Sequence, residues 1–183
     1  MLENLAILFG VAYLILIIKG IRYGWLFGIL SAFIYSFLSF QTNIFLQGVL
    51  QIIYVFLGFW GFFNWAKEDR LMVSRLSFKL NLGVLILGLF LSGAAYYLIS
   101  FTNQESAVLD SFVTVFSIIA TYLTAQKIIE NWFYWWVINV LAMVLYFEQG
   151  MENSVLLYLT YLLLSFYGYR EWRLRLKSKN AHA

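Results

Sequence analysis

Residues 21–65 read IRYGWLFGILSAFIYSFLSFQTNIFLQGVLQIIYVFLGFWGFFNW, and residues 128–172 read IIENWFYWWVINVLAMVLYFEQGMENSVLLYLTYLLLSFYGYREW. Laid over one another at an offset of 107 without a gap, they agree at ten positions. An apolar background would match some of the Leu and Phe pairs by chance. The weight therefore rests on Trp25 with Trp132, Trp65 with Trp172, Tyr54 with Tyr161 and Gly61 with Gly168. Each stretch holds two apolar runs of about 20 residues, the length that carries a helix across the hydrocarbon core of a bilayer.

The rest of the chain has the same character. Of 183 residues, 63% are hydrophobic and 11% charged, with a mean hydropathy of +0.81, too few solvating side chains for an ordinary soluble domain. Seven runs are expected to span, near residues 4–18, 23–40, 44–65, 80–101, 108–126, 132–147 and 154–171. They are apolar on nearly every side and rich in Leu, Ile and Phe, which favours helices over the alternating strands of a barrel. The first run has Glu3 where a secretory signal has basic residues, and no small-residue cleavage site follows, so it is expected to remain as a helix.

Charge placement supports seven. Lys19 and Arg22 fall in the first loop, Lys67, Arg70, Arg75 and Lys79 in the third, Lys127 in the fifth, and Arg170, Arg173, Arg175, Lys177 and Lys179 at the C-terminal end. The opposite side holds Glu3, Glu105, Asp110, Glu148 and Glu152. Positive residues stay inside, so the N-terminus is expected outside and the C-terminus in the cytoplasm. The excess of positive charge is thus a topology signal rather than a nucleic-acid footprint.

The repeat pairs the second and third spans with the sixth and seventh, an even offset, so the halves point the same way through the membrane. The expected plan is all-α and three plus one plus three: a single membrane domain over residues 1–183, with a first repeat at 1–66, a linker helix at 80–101, a second repeat at 106–172 and a basic cytoplasmic tail at 173–183. Parallel repeats of this kind occur in the SWEET transporters.

On the third span Gln47, Gln51, Tyr54, Gly58, Gly61 and Trp65 share a face, as do Ser154, Tyr158, Tyr161, Ser165, Gly168 and Trp172 on the seventh. Packing accounts for the Gly and Ser members, since small residues let helices approach. Gln51 and Tyr54 call for a polar partner, because a buried amide without one is costly. On the sixth span Trp132, Trp135, Asn139, Met143 and Tyr146 share a face. Trp132 is readable as a ligand contact or as an interfacial anchor like its mate Trp25. Trp135 and Asn139 lie deeper, and their mates are Gly28 and Ala32, so one asymmetric site is expected. Indole faces stack on a planar ring and an amide both donates and accepts, which suits a planar, polar, vitamin-sized ligand.

No span has a charged residue near its centre, whereas proton-coupled carriers use such groups as relays, so facilitated movement is expected. A retinal protein is excluded by the lack of a Lys in the last span. With no cysteine and His182 as the one histidine, no thiolate or His-cluster metal site is expected, and no cofactor. An enzyme would want paired carboxylates or a His cluster. Glu148 and Glu152 are the nearest to that, flanking Gly150 with no other partner. A sensory seven-helix protein is separated from a carrier by uptake.

The segment Trp132-Phe133-Tyr134-Trp135, three residues, then Asn139 resembles the WFYWxxxN/D signature of the PnuC family of vitamin transporters. Glu130-Asn131-Trp132, the Tyr158–Tyr161 stretch and Gly168-Tyr169-Arg170-Glu171-Trp172 are similar to the family's C-terminal half, and Gln51, Tyr54, Gly61 and Trp65 to its N-terminal half. The resemblance implies a seven-helix SWEET-like fold, a homotrimer in the bacterial inner membrane, and facilitated uptake of nicotinamide riboside, a precursor of NAD, trapped by a cytoplasmic kinase. Carried onto matching positions, it makes Trp132, Trp135 and Asn139 substrate-binding, with Gln51 and Tyr54 as further contacts. The family also contains thiamine and riboflavin transporters on the same scaffold, and compact chains are found in the thiamine branch. Both nicotinamide riboside and thiamine carry a cationic aromatic ring that an indole can hold. Ala32 opposite Asn139 departs from a symmetric two-site pattern.

Overall fold

The structure is a computed structural model and describes residues 2–41, 45–67, 72–101, 106–148 and 152–181. Arg70, Glu105, Gly150 and His182 lie outside the described residues, as do the side chains of Gln47 and Lys179. Seven helices are described: α1 (Leu2–Ile18), α2 (Gly24–Gln41), α3 (Phe45–Ala66), α4 (Phe78–Ile99), α5 (Ala107–Ala125), α6 (Asn131–Glu148) and α7 (Glu152–Ala181). Their ends lie within two residues of the expected spans, with one exception. The last helix continues ten residues past 171, through the basic segment, because Arg, Leu and Lys favour helix and no Gly or Pro interrupts them after Gly168.

Four stretches, Gly24–Gln41, Gly48–Ala66, Phe78–Ile99 and Ala107–Ala125, are long and apolar enough to cross a membrane by length and composition. The 17-residue α1 is apolar but shorter. In α6 three Trp, two Tyr and two Asn lower the hydropathy, and α7 carries the basic segment.

Neighbouring helices form a closed ring in the order α1, α2, α3, α5, α6, α7 and back to α1. Outside the ring, α4 packs on α5, and the Tyr134 hydroxyl of α6 reaches its Asn81 Oδ1 at 2.9 Å. The charged residues divide the two ends of the ring. The Ser106 hydroxyl donates to Glu148 Oε2 (2.8 Å) at the end carrying Glu3, Asp110 and Glu152, the acidic end. Opposite is the basic end, where residues Lys19–Arg22 and Lys127 turn the chain.

The two basic-end corners share one geometry. Gly20 has φ 70° and Lys127, 107 residues later, φ 52°. Ile21 N–H donates to the Leu16 carbonyl (2.9 Å), and Ile128 N–H to that of Leu123 (3.0 Å). These are helix ends closed through a left-handed residue. Glycine takes that conformation freely, while Lys127 does so at a cost of about 1–2 kcal/mol. The second corner is also clamped from outside. Ser74, in the segment between α3 and α4, pairs with Ile128 in a parallel bridge: its N–H donates to Lys127 O and its carbonyl accepts from Ile129 N–H, both at 3.0 Å. Leu76 N–H adds a bond to Glu130 Oε2 at 3.1 Å, and Val73 is buried beneath.

Candidate functional site

The site is built upward from the basic end, where Trp25, Trp65, Trp132 and Trp172 are each 0–1% exposed. Trp25 meets Trp65 edge-on (5.7 Å between centroids, 89°), Trp132 meets Trp172 likewise (5.3 Å, 84°), and Trp65 touches Trp172 across the middle (6.2 Å, 50°). Two glycines make the room. A Cβ on Gly61 would come within 2.4 Å of the Trp25 ring, and one on Gly168 within 2.4 Å of Trp132. In lipid, helix association gains little from the hydrophobic effect, so close packing and aromatic pairs of about 0.5–1.5 kcal/mol each hold this floor.

The floor also ties the first three helices to the last three. Trp65 Nε1 of α3 donates to the Ala125 carbonyl at the end of α5 (3.0 Å), joined by Asn64 Nδ2 (2.9 Å). Trp172 Nε1 of α7 donates to the Ile17 carbonyl near the end of α1 (3.3 Å). Lys127 stands over the Trp65 ring with its Nζ 4.5 Å from the centroid. Trp132 therefore sits inside the packed floor rather than at a lipid interface. Among the described residues its indole N–H, like that of its mate Trp25, has no hydrogen-bond partner.

One turn above the floor, Trp135 is half-buried and its indole N–H reaches Thr124 Oγ1 at 3.4 Å. Thr124 in turn lies 3.1 Å from Asn131 Oδ1, and Asn131 Nδ2 donates to the Ile128 carbonyl at 2.6 Å. Both Thr124 and Asn131 are buried, so the indole is oriented by a network on the end of α5. One turn further along α6, Asn139 is 2% exposed.

At the middle level Tyr54 of α3 pairs its hydroxyl with that of Ser117 on α5. Its mate Tyr161 of α7 sets its hydroxyl against Gly10 of α1, where a Cβ would lie 2.6 Å from the oxygen. Gly10 and Ser117 are themselves 107 apart, so each Tyr crosses to the equivalent place in the other half. Tyr13 lies within electrostatic reach of both Tyr54 and Tyr161. Gln51 is half-buried a turn from Tyr54. Toward the acidic end Tyr146 and Tyr158 stack (5.2 Å, 17°), and Tyr35 lies near Glu3.

Of the expected site residues, Trp135 and Asn139 stand on the face of α6 that meets α5, and Gln51 and Tyr54 on α3, which meets α5 from the other side. No bond joins the two pairs; α5 is their common neighbour. Trp132 lies below them. The sequence reading gave no role to Tyr13, Tyr35, Ser117 or Thr124, which stand beside these residues. For α5 a signal existed: Thr114, Ser117, Thr121 and Thr124 recur at steps of three and four, one helical face. No group of three or more metal-ligating side chains occurs among the described residues.

Comparison with known proteins bears on this arrangement. The profile of the family described as Nicotinamide mononucleotide transporter matches residues 1–174. The nicotinamide riboside transporter PnuC of Neisseria mucosa is 27% identical over 187 residues, covering 93% of this chain and 71% of that protein. The riboflavin/roseoflavin transporter RibM of Streptomyces davaonensis is 33% identical over 66 residues, 36% of this chain and 31% of its own. The crystal structure of the vitamin B3 transporter PnuC superposes with a TM-score of 0.81 at 24% identity, covering 97% of this chain and 82% of the other. A profile match over nearly the whole length, together with this fold, means that the chain belongs to the nicotinamide mononucleotide transporter family, the PnuC family of membrane transporters, and is not an enzyme.

Proposed function

We propose that this chain mediates facilitated uptake of nicotinamide riboside across the bacterial inner membrane. The observation that carries the reading is the Asn139 amide, 2% exposed inside an apolar helix and one turn above Trp135. A buried amide in a membrane span is costly unless its donors and acceptor are met, and a ligand can meet them. The substrate's carboxamide can pair with it, its cationic ring can stack on indole and phenol faces, and its ribose hydroxyls match the Tyr, Ser and Thr hydroxyls of the middle level.

Movement is by alternating access without ion coupling, two three-helix repeats rocking about the site. Supporting the repeat are the matched corners at Gly20 and Lys127 and the ring order, which exchanges α1 for α5, α2 for α6 and α3 for α7 without changing which helices meet. The closed Trp floor supports a conformation shut at the basic end. That end is assigned to the cytoplasm by its charge, with the N-terminus outside and the C-terminus inside. A cationic substrate then enters past Glu3, Asp110, Glu148 and Glu152 and is retained by cytoplasmic phosphorylation. A homotrimer completes the reading, the exposed apolar face of α4 offering surface to lipid or a neighbour.

Proteoliposomes loaded with a riboside kinase and ATP provide the test. Labelled nicotinamide riboside should accumulate saturably, and Trp135→Ala or Asn139→Ala should reduce accumulation at least tenfold, about the loss expected when a buried polar contact is left unpaired. Uptake of thiamine or riboflavin without uptake of the riboside would reassign the substrate. Unchanged uptake in both variants would remove the site.

A further inference from the structure

The two halves differ most one turn above the floor. At the offset of 107 that relates the corners, Tyr13 of α1 corresponds to Ala120 of α5, and Gly28 of α2 to Trp135 of α6. The large and small residues are exchanged. In the first half the ring rises from the first helix and lies over the glycine of the second, where a Cβ on Gly28 would stand 2.8 Å from Tyr13 Cδ2. In the second half the ring rises from α6 and packs against the cluster containing Ala120, itself 0% exposed. Each ring also rests on its own side of the floor. Tyr13 meets Trp25 edge-on (5.4 Å, 61°), and Trp135 packs on the cluster that includes Trp132. Two aromatic rings thus fill equivalent volumes on either side of the axis relating the halves.

The polar groups on these rings are not equivalent. The Trp135 N–H is held by Thr124, so that ring has a fixed orientation. The Tyr13 hydroxyl is within electrostatic reach of Tyr54 on α3 and Tyr161 on α7, one from each half. The Tyr13 ring is thus seated on Gly28 and Trp25 beside the space between the halves.

We infer that Tyr13 is a specificity-determining residue for transport: its ring is the second wall of an aromatic clamp, facing Trp135, that grips a planar heteroaromatic cation between the two halves. The inference rests on the reading of Trp135 and Asn139 as substrate contacts. It explains why the asymmetric polar group, Asn139, is found on the Trp135 side alone. One wall is mated to the amide that reads the ring's substituent, and the other supplies a flat face. Stacking from two sides also disfavours non-planar solutes.

Equilibrium binding of labelled nicotinamide riboside to the purified full-length protein tests this with five variants. Tyr13→Leu should weaken binding about tenfold, the scale of one lost ring–ring stack. Tyr13→Phe, which keeps the face, should stay within about threefold. Gly28→Ala, which displaces the Tyr13 ring without removing it, should weaken binding in the same direction, and it serves if Tyr13→Leu does not fold. If Trp135→Leu and Asn139→Ala lose binding while Tyr13→Leu and Gly28→Ala do not, Tyr13 is outside the site. Equal losses in Tyr13→Leu and Tyr13→Phe would assign the effect to the hydroxyl and overturn the clamp. Should Trp135→Leu and Asn139→Ala both bind as the natural chain does, the underlying site assignment falls, and the clamp with it.

Discussion

Gly61 and Gly168 are where single atoms decide the packing. Each is a notch for a tryptophan one helix away, and a methyl group at either would stand 2.4 Å from the ring. Gly61→Ala and Gly168→Ala should each destabilise the protein by about 1–3 kcal/mol, the usual cost of overpacking. A lowered melting temperature in detergent, read by fluorescence-detected gel filtration, checks this; unchanged melting would mean that the floor yields. The sequence made these glycines legible as small residues on a shared face, and it paired them with one another. It did not say what fills them, because a helical period identifies a face but not the neighbour it meets. Tyr13 escaped notice for the same reason. A lone phenol among apolar residues becomes informative only when Gly28 is found beneath it. Trp132 was legible as part of a signature, yet its depth in the floor depends on Trp172, forty residues later.

Among elements, α3 and α7 reach across the molecule, each carrying at the basic end a tryptophan that bonds to a carbonyl near the end of the other half's first helix. Under the proposed alternating access, opening the basic end would break both bonds. Trp65→Phe and Trp172→Phe keep an aromatic ring but delete the donor, and a hydrogen bond of this kind contributes about 0.5–1.5 kcal/mol. Each variant should therefore raise the population open at that end roughly two- to tenfold, the double variant more. The chain contains no cysteine, so a Thr121→Cys probe labelled from the basic side gives a clean readout. Equal labelling rates in the double variant and its parent would show that the bonds do not hold the floor shut. Helix count and boundaries were legible because apolar length is a strong signal. The continuation of α7 was not, since hydropathy reports where lipid ends rather than where a helix does. The role of α5 as the shared wall depends on ring order, which no single helix's pattern contains.

Across the whole molecule the near-twofold arrangement is broken by α4. This helix is bound to the second half along α5 and through Tyr134, and its leading segment is stitched to the α5–α6 corner by Ser74. No helix of the first half packs on it among the described residues. Spin labels at Lys79→Cys and Tyr122→Cys, both within that larger group, should keep one distance when substrate is added. Labels at Lys79→Cys and Lys19→Cys, one in each group, should change theirs. Substrate-dependent change in the first pair would show that α4 moves independently. The stitched segment has a mechanical consequence. It binds four helices into one group and leaves three outside it, so that in transport by rocking the larger group would serve as the stator and the smaller as the rotor that turns against it.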